Sequence, residues 1–434
     1  MAQIRPFAGI HYSKAREIDL SKVIAPPYDV LDEKDKRALQ AKHPNNIVTV
    51  DLPFTPPKSV GPDEVYEKAN TTLQAWLSAG VLEKDHRPAI YPYAQSYEYA
   101  GRKFHRRGFI TTVRLSPFGD GEVVPHEKTY PGPIEDRMKL MRATGMQLSP
   151  IFGLFNDPRN EINGVLYKNL GKPFLAGTLD GVQNDLWTIN DADVENQIID
   201  LMKHRPIYIA DGHHRYTTAL QYQRDAAQLA GGKLPPGHPA NFCMFVLVSM
   251  QDPGLQILPT HRLIGGLTNF TPAAFSAVLG SNFEITESNL TADHLPEFTE
   301  GLNAHEVHTF GLFDGKSRKL YSLKLKNLDL LKPLEPAKSD AWRRLDVAIL
   351  QRYLLDEVLQ PKFAGGKELI KGYTADPRTI APQVDGAHYQ LALMLRPTPL
   401  QALADLGEHK EVMPQKSTYF FPKLATGMVM NPIR

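Results

Sequence analysis

The sequence predicts an α+β protein, because predicted strands and helices are mixed along the chain without strict alternation. Its 434 residues exceed the length of one ordinary domain, so two or three domains are expected. A composition of 42% hydrophobic and 22% charged residues is typical of a globular protein with a core in each domain.

Bulk properties narrow the class of protein. A formal net charge of +1 argues against a large nucleic-acid surface, and no apolar run approaches the roughly eighteen residues of a membrane span. The N-terminus lacks the apolar core of a signal peptide, and the single cysteine, Cys243, rules out an intramolecular disulfide. We expect a cytoplasmic protein without a membrane partner and disfavour a nucleic-acid partner. The oligomeric state stays open, a homodimer included.

Hydrophobic spacing and end signals predict the elements in order. Residues 32–44 form a helix that starts at Asp32, residues 46–53 form a strand, and residues 61–82 form a helix that Gly80 closes. Residues 89–115 form a hairpin that turns at residues 100–101. The later predicted helices are residues 134–145, 192–204, 216–230, 271–279 and 344–359, and the later predicted strands are residues 121–125, 149–155, 185–189, 206–212, 241–250, 255–264, 308–313, 318–326 and 389–397.

The segment "ADGHHR" joins an apolar strand to a helix. At such a turn the free backbone amides and the helix dipole favour an anion, and Gly212 lets the backbone approach a phosphate closely. His213, His214 and Arg215 add donors and charge, and Asp211 could hold a magnesium ion or act as a base. The alternative is a turn capped by Asp211 with solvated basic residues. We favour the functional interpretation, because four polar groups crowd against an apolar strand.

A second cluster follows the predicted strand at residues 121–125. Glu127 lies beside His126, Lys128 and Thr129 and could act as a general base for a substrate hydroxyl. A surface loop with locally paired charges explains the pattern equally well.

The C-terminal tail carries a third cluster. Lys416, Ser417, Thr418 and Lys423 flank an aromatic pair at residues 420–421 and could close over an anionic ligand. Arg262 is a lesser candidate of the same kind. An exposed charged loop with a core-packing aromatic pair is an equally good explanation.

Two segments imitate known motifs. "GLFDGKS" nearly spells a phosphate-binding loop, but a strand follows it and one residue is missing between its glycines, so a hairpin turn at residues 314–315 is the better interpretation. "HEVH" at residues 305–308 lacks the spacing of a helical zinc pair.

The sequence resembles a bacterial and archaeal family, the domain of unknown function 1015 (DUF1015). "RPFAGIHY", "APPYDV", "PHEKT", "ADGHHRYTTAL", "LPTHR" and "MPQKSTYFFPK" occur in the family's order and span nearly the whole chain. The family name implies no activity.

The order of elements around "PHEKT" and "DGHHR" is similar to the ParB/sulfiredoxin-like group, and the loop is similar to that of free-serine kinases. This resemblance implies a mixed-sheet core at residues 89–265, with α/β extensions at residues 1–88 and 266–434. It implies Glu127 as the catalytic base, with Glu135 and Asp136 as competitors. It further implies a phosphate and metal end formed by Asp211, Gly212, His213, His214 and Arg215, with His126 and Thr129 beside it.

The chain departs from that group in two places. Sulfiredoxins carry a reactive cysteine in the loop, whereas Cys243 lies in an apolar strand, so sulfinic-acid repair is not expected. We find no basic recognition helix after residue 265, as a ParB-like DNA-binding protein would need.

These observations together predict a nucleotide-dependent phosphotransferase that acts on a small hydroxylated metabolite, with free serine as a candidate. Mg²⁺ and ADP or ATP are the implied cofactors, Asp211 and His214 join Glu127 as catalytic residues, and Lys416, Ser417, Thr418 and Arg262 bind the substrate. The alternatives are a phosphatase of a small phosphometabolite such as phosphoserine and a non-catalytic sensor of a nucleotide or phosphometabolite.

Overall fold

The computed structural model describes residues 2–120, 122–304 and 307–434 and divides into two compact units. The first unit comprises Met1–Pro125, Thr129–Gln256 and Pro422–Arg434, and the second comprises His126–Lys128 and Ile257–Phe421. Both units combine helices with sheet, which confirms the predicted α+β class and its mixed sheet. The three-region division at residues 88 and 265 stays a prediction.

A mixed sheet of nine strands, counted over the described residues, forms the centre of the first unit. The Tyr91–Tyr99 and Arg102–Arg114 strands form the predicted hairpin, which turns at two residues with positive φ, Ala100 and Gly101. The Ile207–Asp211 strand lies parallel to one neighbour and antiparallel to the other. The strand order is Val123–Val124, Ile207–Asp211, Ile151–Phe155, Phe242–Ser249, Arg102–Arg114, Tyr91–Tyr99, Val182–Leu186 and Leu175–Leu179, with Ile4–Arg5 also paired to Arg102–Arg114.

Helices of the first unit pack on this sheet, and the largest lies beside the predicted anion site. Tyr216, Ala219 and Leu220 on the His213–Leu229 helix are buried in one core cluster with Phe245 and Ile209 of the sheet. The helices are Leu20–Val23, Glu33–Lys42, Val48–Asp51, Asp63–Ser78, Pro131–Thr144, Glu161–Leu166, Ala192–Met202 and His213–Leu229, with 3-10 turns at Lys14–Arg16, Tyr28–Val30 and Pro239–Asn241, and two short strand pairs join Ile10–Tyr12 with Leu82–Lys84 and Met146–Gln147 with Asn431–Pro432.

The predicted strand at residues 46–53 is wrong, because Val48–Asp51 is a helical turn. The Asn46 side chain accepts a hydrogen bond from the Val48 amide at 3.0 Å and donates to the Lys22 carbonyl at 2.8 Å. This capping fixes the turn, and the apolar residues that suggested a strand are buried in it. A short apolar run does not distinguish a buried strand from a buried helical turn.

The second unit is built on an antiparallel sheet of six strands, counted over the described residues. Thr271 caps the Pro272–Leu279 helix as predicted, and the predicted helix at residues 344–359 is present, with π-helical hydrogen bonding over Ile349–Leu359. The strand order is Phe283–Thr291, Lys319–Leu325, Thr309–Asp314, Leu391–Met394, His261–Gly265 and Ile370–Thr374; the helices are Pro272–Leu279, Leu295–Ala304, Asp340–Arg343, Asp346–Ala348, Ile349–Leu359, Gln360–Phe363, Ile380–Gln383 and Gln401–Glu408, with 3-10 turns at Gly280–Asn282, Ala292–His294 and Pro377–Thr379 and further short strands at Gln256–Leu258 and Tyr419–Phe421.

Candidate functional site

The predicted strand-to-helix junction is present in the first unit. The pairing register of the Ile207–Asp211 strand shifts between Ile209 and Asp211, and such an irregularity re-aims the side chain that follows it. Gly212 then adopts a left-handed conformation with φ of 98°, and the His213–Leu229 helix begins at the next residue. The N-cap residue, Gly212, makes no side-chain cap hydrogen bond to this helix, and helix starts in general favour an anion.

Asp211 is the centre of a charged cluster at this junction. Its Oδ2 lies 3.2 Å from the Lys423 Nζ and 3.7 Å from the Arg215 Nη2, and its Oδ1 accepts a hydrogen bond from the Gly212 amide at 3.0 Å. Burial opposes ionisation, but Lys423 and Arg215 outweigh burial and hold the pKa of Asp211 well below its ordinary value. One carboxylate therefore stands against two cations, which leaves the cluster positive.

Arg215 is nearly buried, with 9% of its surface exposed. Its Nη1 donates to the Pro150 carbonyl, and its guanidinium folds back over Gly212, where a Cβ would lie 3.0 Å from the Nε. Only glycine therefore fits under this guanidinium without displacing it. A cavity of about 30 Å³ is lined in part by Arg215, Asp51, Arg137 and Cys243.

His214 is tied to the loop that precedes the Pro131–Thr144 helix. Its Nε2 accepts a hydrogen bond from the Tyr130 amide at 3.1 Å, so this nitrogen carries no proton. Burial, and then the Lys58 ammonium, lower the pKa of His214. The neighbouring His213 is buried at 5% exposure, and Thr129 lies with its Oγ1 3.5 Å from the Thr217 Oγ1 on the same helix.

The other predicted site residues lie in the second unit, where the "PHEKT" and "MPQKSTYFFPK" segments meet. The His126 Nε2 lies 3.0 Å from the Thr418 Oγ1, and the His126 carbonyl accepts the Met413 amide at 2.8 Å. Ser417 is buried and donates to the Pro414 carbonyl. The tail therefore contacts the His126 segment within this unit, a contact that the sequence did not predict.

Arg262, from the "LPTHR" segment, is fully buried in the second unit and donates from Nη2 to the Gln415 carbonyl at 3.2 Å. Burial lowers the pKa of Arg262 to about 10, against the opposing influence of Tyr373 and Glu127. Arg262 is therefore a cation near Glu127. Lys416 is exposed and has a positive φ of 56°.

The competitors of Glu127 for the role of base occupy different surroundings. Asp136 is buried at 2% exposure and accepts hydrogen bonds from the Tyr66 hydroxyl and the Arg137 Nε, both at 2.8 Å. These bonds commit its carboxylate to a buried network. Glu127 is half-buried and Glu135 is exposed, so both remain accessible.

The junction does not fit a resident Mg²⁺ ion at Asp211. Within the described residues, no group of three or more His, Cys, Asp or Glu side chains could hold a metal ion. Asp211 is surrounded by Lys423 and Arg215, whose charges would repel a divalent cation.

The "GLFDGKS" segment forms a hairpin in the described part of the chain. Asp314 ends a strand that pairs antiparallel with Lys319–Leu325, so the predicted hairpin turn is confirmed. His305 of the "HEVH" segment lies outside the described residues. Burial raises the pKa of the Cys243 thiol to about 12, which removes it as a nucleophile.

Sequence reasoning missed two contacts of the junction. Lys423 was noted only as part of the tail, and its pairing with Asp211 joins residues 212 positions apart. The Tyr130 contact of His214 is a backbone hydrogen bond, for which the residue type gives no signal.

The fold and this junction define an α+β protein in which a left-handed glycine joins a strand to a helix. The chain belongs to the family described as protein of unknown function (DUF1015), whose model matches residues 4–348. No curated protein matches the sequence at a significant level. None of the helices in the described part of the chain is long and apolar enough to cross a membrane.

Several solved structures share part of this architecture. A free serine kinase in complex with AMP is 14% identical, with a TM-score of 0.31, and the match covers 69% of this chain and 83% of that chain. A conserved hypothetical protein from Pyrococcus furiosus is 14% identical, with a TM-score of 0.31 and coverage of 70% and 89%. SbnI from Staphylococcus aureus, with a C-terminal truncation, is 9% identical, with a TM-score of 0.34 and coverage of 75% and 87%.

Proposed function

We propose that the protein is a nucleotide-dependent phosphotransferase that acts on a small hydroxylated metabolite. The observation that carries the proposal is the uncapped start of the His213–Leu229 helix, where Gly212 has positive φ and two cations outnumber one carboxylate. This arrangement suits the phosphates of ADP or ATP. The loop's resemblance to free-serine kinases makes free serine the first acceptor to test.

In this proposal the helix start holds the phosphate chain. Amides of the first turn donate hydrogen bonds to phosphate oxygens, and Arg215 offsets charge on the phosphoryl group in transfer. Asp211 is not the base in this proposal, because a carboxylate with so low a pKa is a poor proton acceptor at neutral pH. Its proposed role is to orient the cations. His214 holds the Tyr130 loop through its unprotonated Nε2.

Glu127 is the proposed base. The acceptor hydroxyl oxygen forms a bond to the terminal phosphorus, the bond from that phosphorus to the bridging oxygen breaks, and the shortened nucleotide leaves. The hydroxyl proton passes to the Glu127 carboxylate. Arg262, Lys416, Ser417 and Thr418 are the proposed substrate-binding residues. Mg²⁺ enters this scheme only as the counter-ion that nucleotide phosphates carry.

Transfer of labelled phosphate tests the proposal. The full chain is incubated with γ-labelled ATP or β-labelled ADP, Mg²⁺ and a panel of hydroxylated metabolites that includes serine, and the products are separated. We expect label in one acceptor, with Glu127→Gln slowing transfer by about 10²–10⁴-fold. Glu135→Gln is the matched control, because Glu135 is exposed. We expect this substitution to leave the transfer rate unchanged.

The outcomes separate the functions. Equal rates for wild type and Glu127→Gln would remove Glu127 as the base. Loss of rate in Glu135→Gln alone would assign the role of base to Glu135. Phosphate release from phosphoserine without nucleotide would replace the proposal with a phosphatase. Nucleotide binding without transfer to any acceptor would replace it with a sensor.

A further inference from the structure

We infer that Lys423 is a binding residue of the phosphate site and contacts the phosphate chain of the nucleotide. This inference rests on the proposed function. Lys423 lies beyond residue 348, where the family match ends. The family is described as a protein of unknown function, so its description assigns Lys423 no role.

The C-terminal segment, Pro422–Arg434, carries Lys423 into the first unit. The buried Arg106 donates from Nη2 to the Pro422 carbonyl at 2.7 Å, and the buried Gln95 donates from Nε2 to the Lys423 carbonyl at 3.1 Å. Farther along, Thr426 exchanges backbone hydrogen bonds with Ala25. Because buried side chains hold the backbone on both sides of Lys423, its ammonium is delivered to Asp211 by a fixed segment.

The charges at the junction make Lys423 more than a neutralising partner. Asp211 already has a cation four residues along its own chain, Arg215, and one cation balances one carboxylate. Lys423 supplies the surplus positive charge, and its side chain keeps 19% of its surface exposed. An ammonium has three N–H donors, so it can hold Asp211 and a phosphate oxygen together.

A purely structural ion pair would give a different result. If Lys423 served only to neutralise Asp211, its loss would lower the stability of the first unit and leave anion affinity unchanged. If Lys423 contacts the phosphate chain, its loss makes the cluster electrically neutral. Binding of the anion is then weakened directly. Affinity, measured apart from stability, therefore decides between the two roles.

Titration calorimetry of the full chain with inorganic pyrophosphate and with ADP tests the inference. We expect Lys423→Met to weaken the binding of both ligands by about 10- to 100-fold. Lys423→Arg keeps the charge and is expected to weaken their binding far less. Lys172→Met is the control, because Lys172 is an exposed lysine of the same unit. This variant is expected to bind both ligands as the wild type does. Urea unfolding of each variant confirms that it folds.

Two results would overturn the inference, and they differ in reach. If the wild type binds and folded Lys423→Met binds equally well, Lys423 is only structural and the proposed function stands. If the wild type binds neither pyrophosphate nor ADP, both the inference and the proposed function fail.

Discussion

Gly212 connects local backbone geometry to the chemistry of the site. Its φ of 98° places the preceding strand and the following helix at an angle that other residues adopt at a cost, and the Arg215 guanidinium lies where a Cβ would stand. Both the backbone conformation and the guanidinium above it therefore favour glycine at this position.

Gly212→Ala is expected to destabilise the first unit by about 1–2 kcal/mol through backbone strain, and to weaken ADP binding because Arg215 must move. Gly231→Ala is a matched control, since Gly231 also has a positive φ, of 85°, and a Cβ there meets no atom within 4 Å. Urea unfolding and calorimetry measure the two effects. Equal loss of ADP affinity in both variants would contradict the role given to the Arg215 contact.

At the residue scale the sequence predicted the junction well and its charge balance poorly. A glycine between an apolar strand and a helical pattern predicts a strand-to-helix turn, and the structure has that turn. The pairing of Asp211 with Lys423 depends on tertiary contacts across 212 positions, which local patterns do not encode.

At the element scale, His214 joins the starts of two helices. It lies in the first turn of the His213–Leu229 helix and accepts the amide of Tyr130, the residue before the Pro131–Thr144 helix. Only the neutral imidazole can accept this bond. The folded protein therefore favours the unprotonated form, in agreement with the lowered pKa of His214.

His214→Leu removes this acceptor and is expected to lower the free energy of unfolding by about 0.5–1.5 kcal/mol at pH 7.5. Because the pKa of His214 is lower in the folded state, the unfolded chain takes up the proton first as the pH falls below about 6.5, and the wild type loses stability there. The difference between wild type and variant should therefore shrink toward pH 5.5.

Urea unfolding at a series of pH values measures this difference. His409→Leu is the control, because His409 is exposed at a helix end, and its difference from the wild type should not shrink in the same way. A constant difference between wild type and His214→Leu across the pH range would contradict the role given to the imidazole.

Most elements near the site were predictable because their signals are local. The Asp32 capping box starts the Glu33–Lys42 helix, and alternating polar and apolar residues with a turn at residues 100–101 specify the long hairpin. Val48–Asp51 was not predictable in the same way. Its helical turn depends on hydrogen bonds from Asn46 to a segment more than twenty residues away.

At the scale of the whole molecule, the chain leaves its first unit after Gln256 and returns to it at Pro422. Pro422–Arg434 completes a unit that otherwise consists of residues before 257, and Asn431–Pro432 pairs there with Met146–Gln147. Composition and periodicity gave no sign of this return, because a short terminal segment has no pattern that identifies its partner. Its consequence is chemical, since the segment brings Lys423 to Asp211.

A crystal structure of the full chain with bound ADP tests the central claim most directly. We predict phosphate oxygens within hydrogen-bond distance of the amides that follow Gly212, in contact with Arg215. ADP bound elsewhere, with the start of the His213–Leu229 helix in contact with solvent alone, would contradict the account.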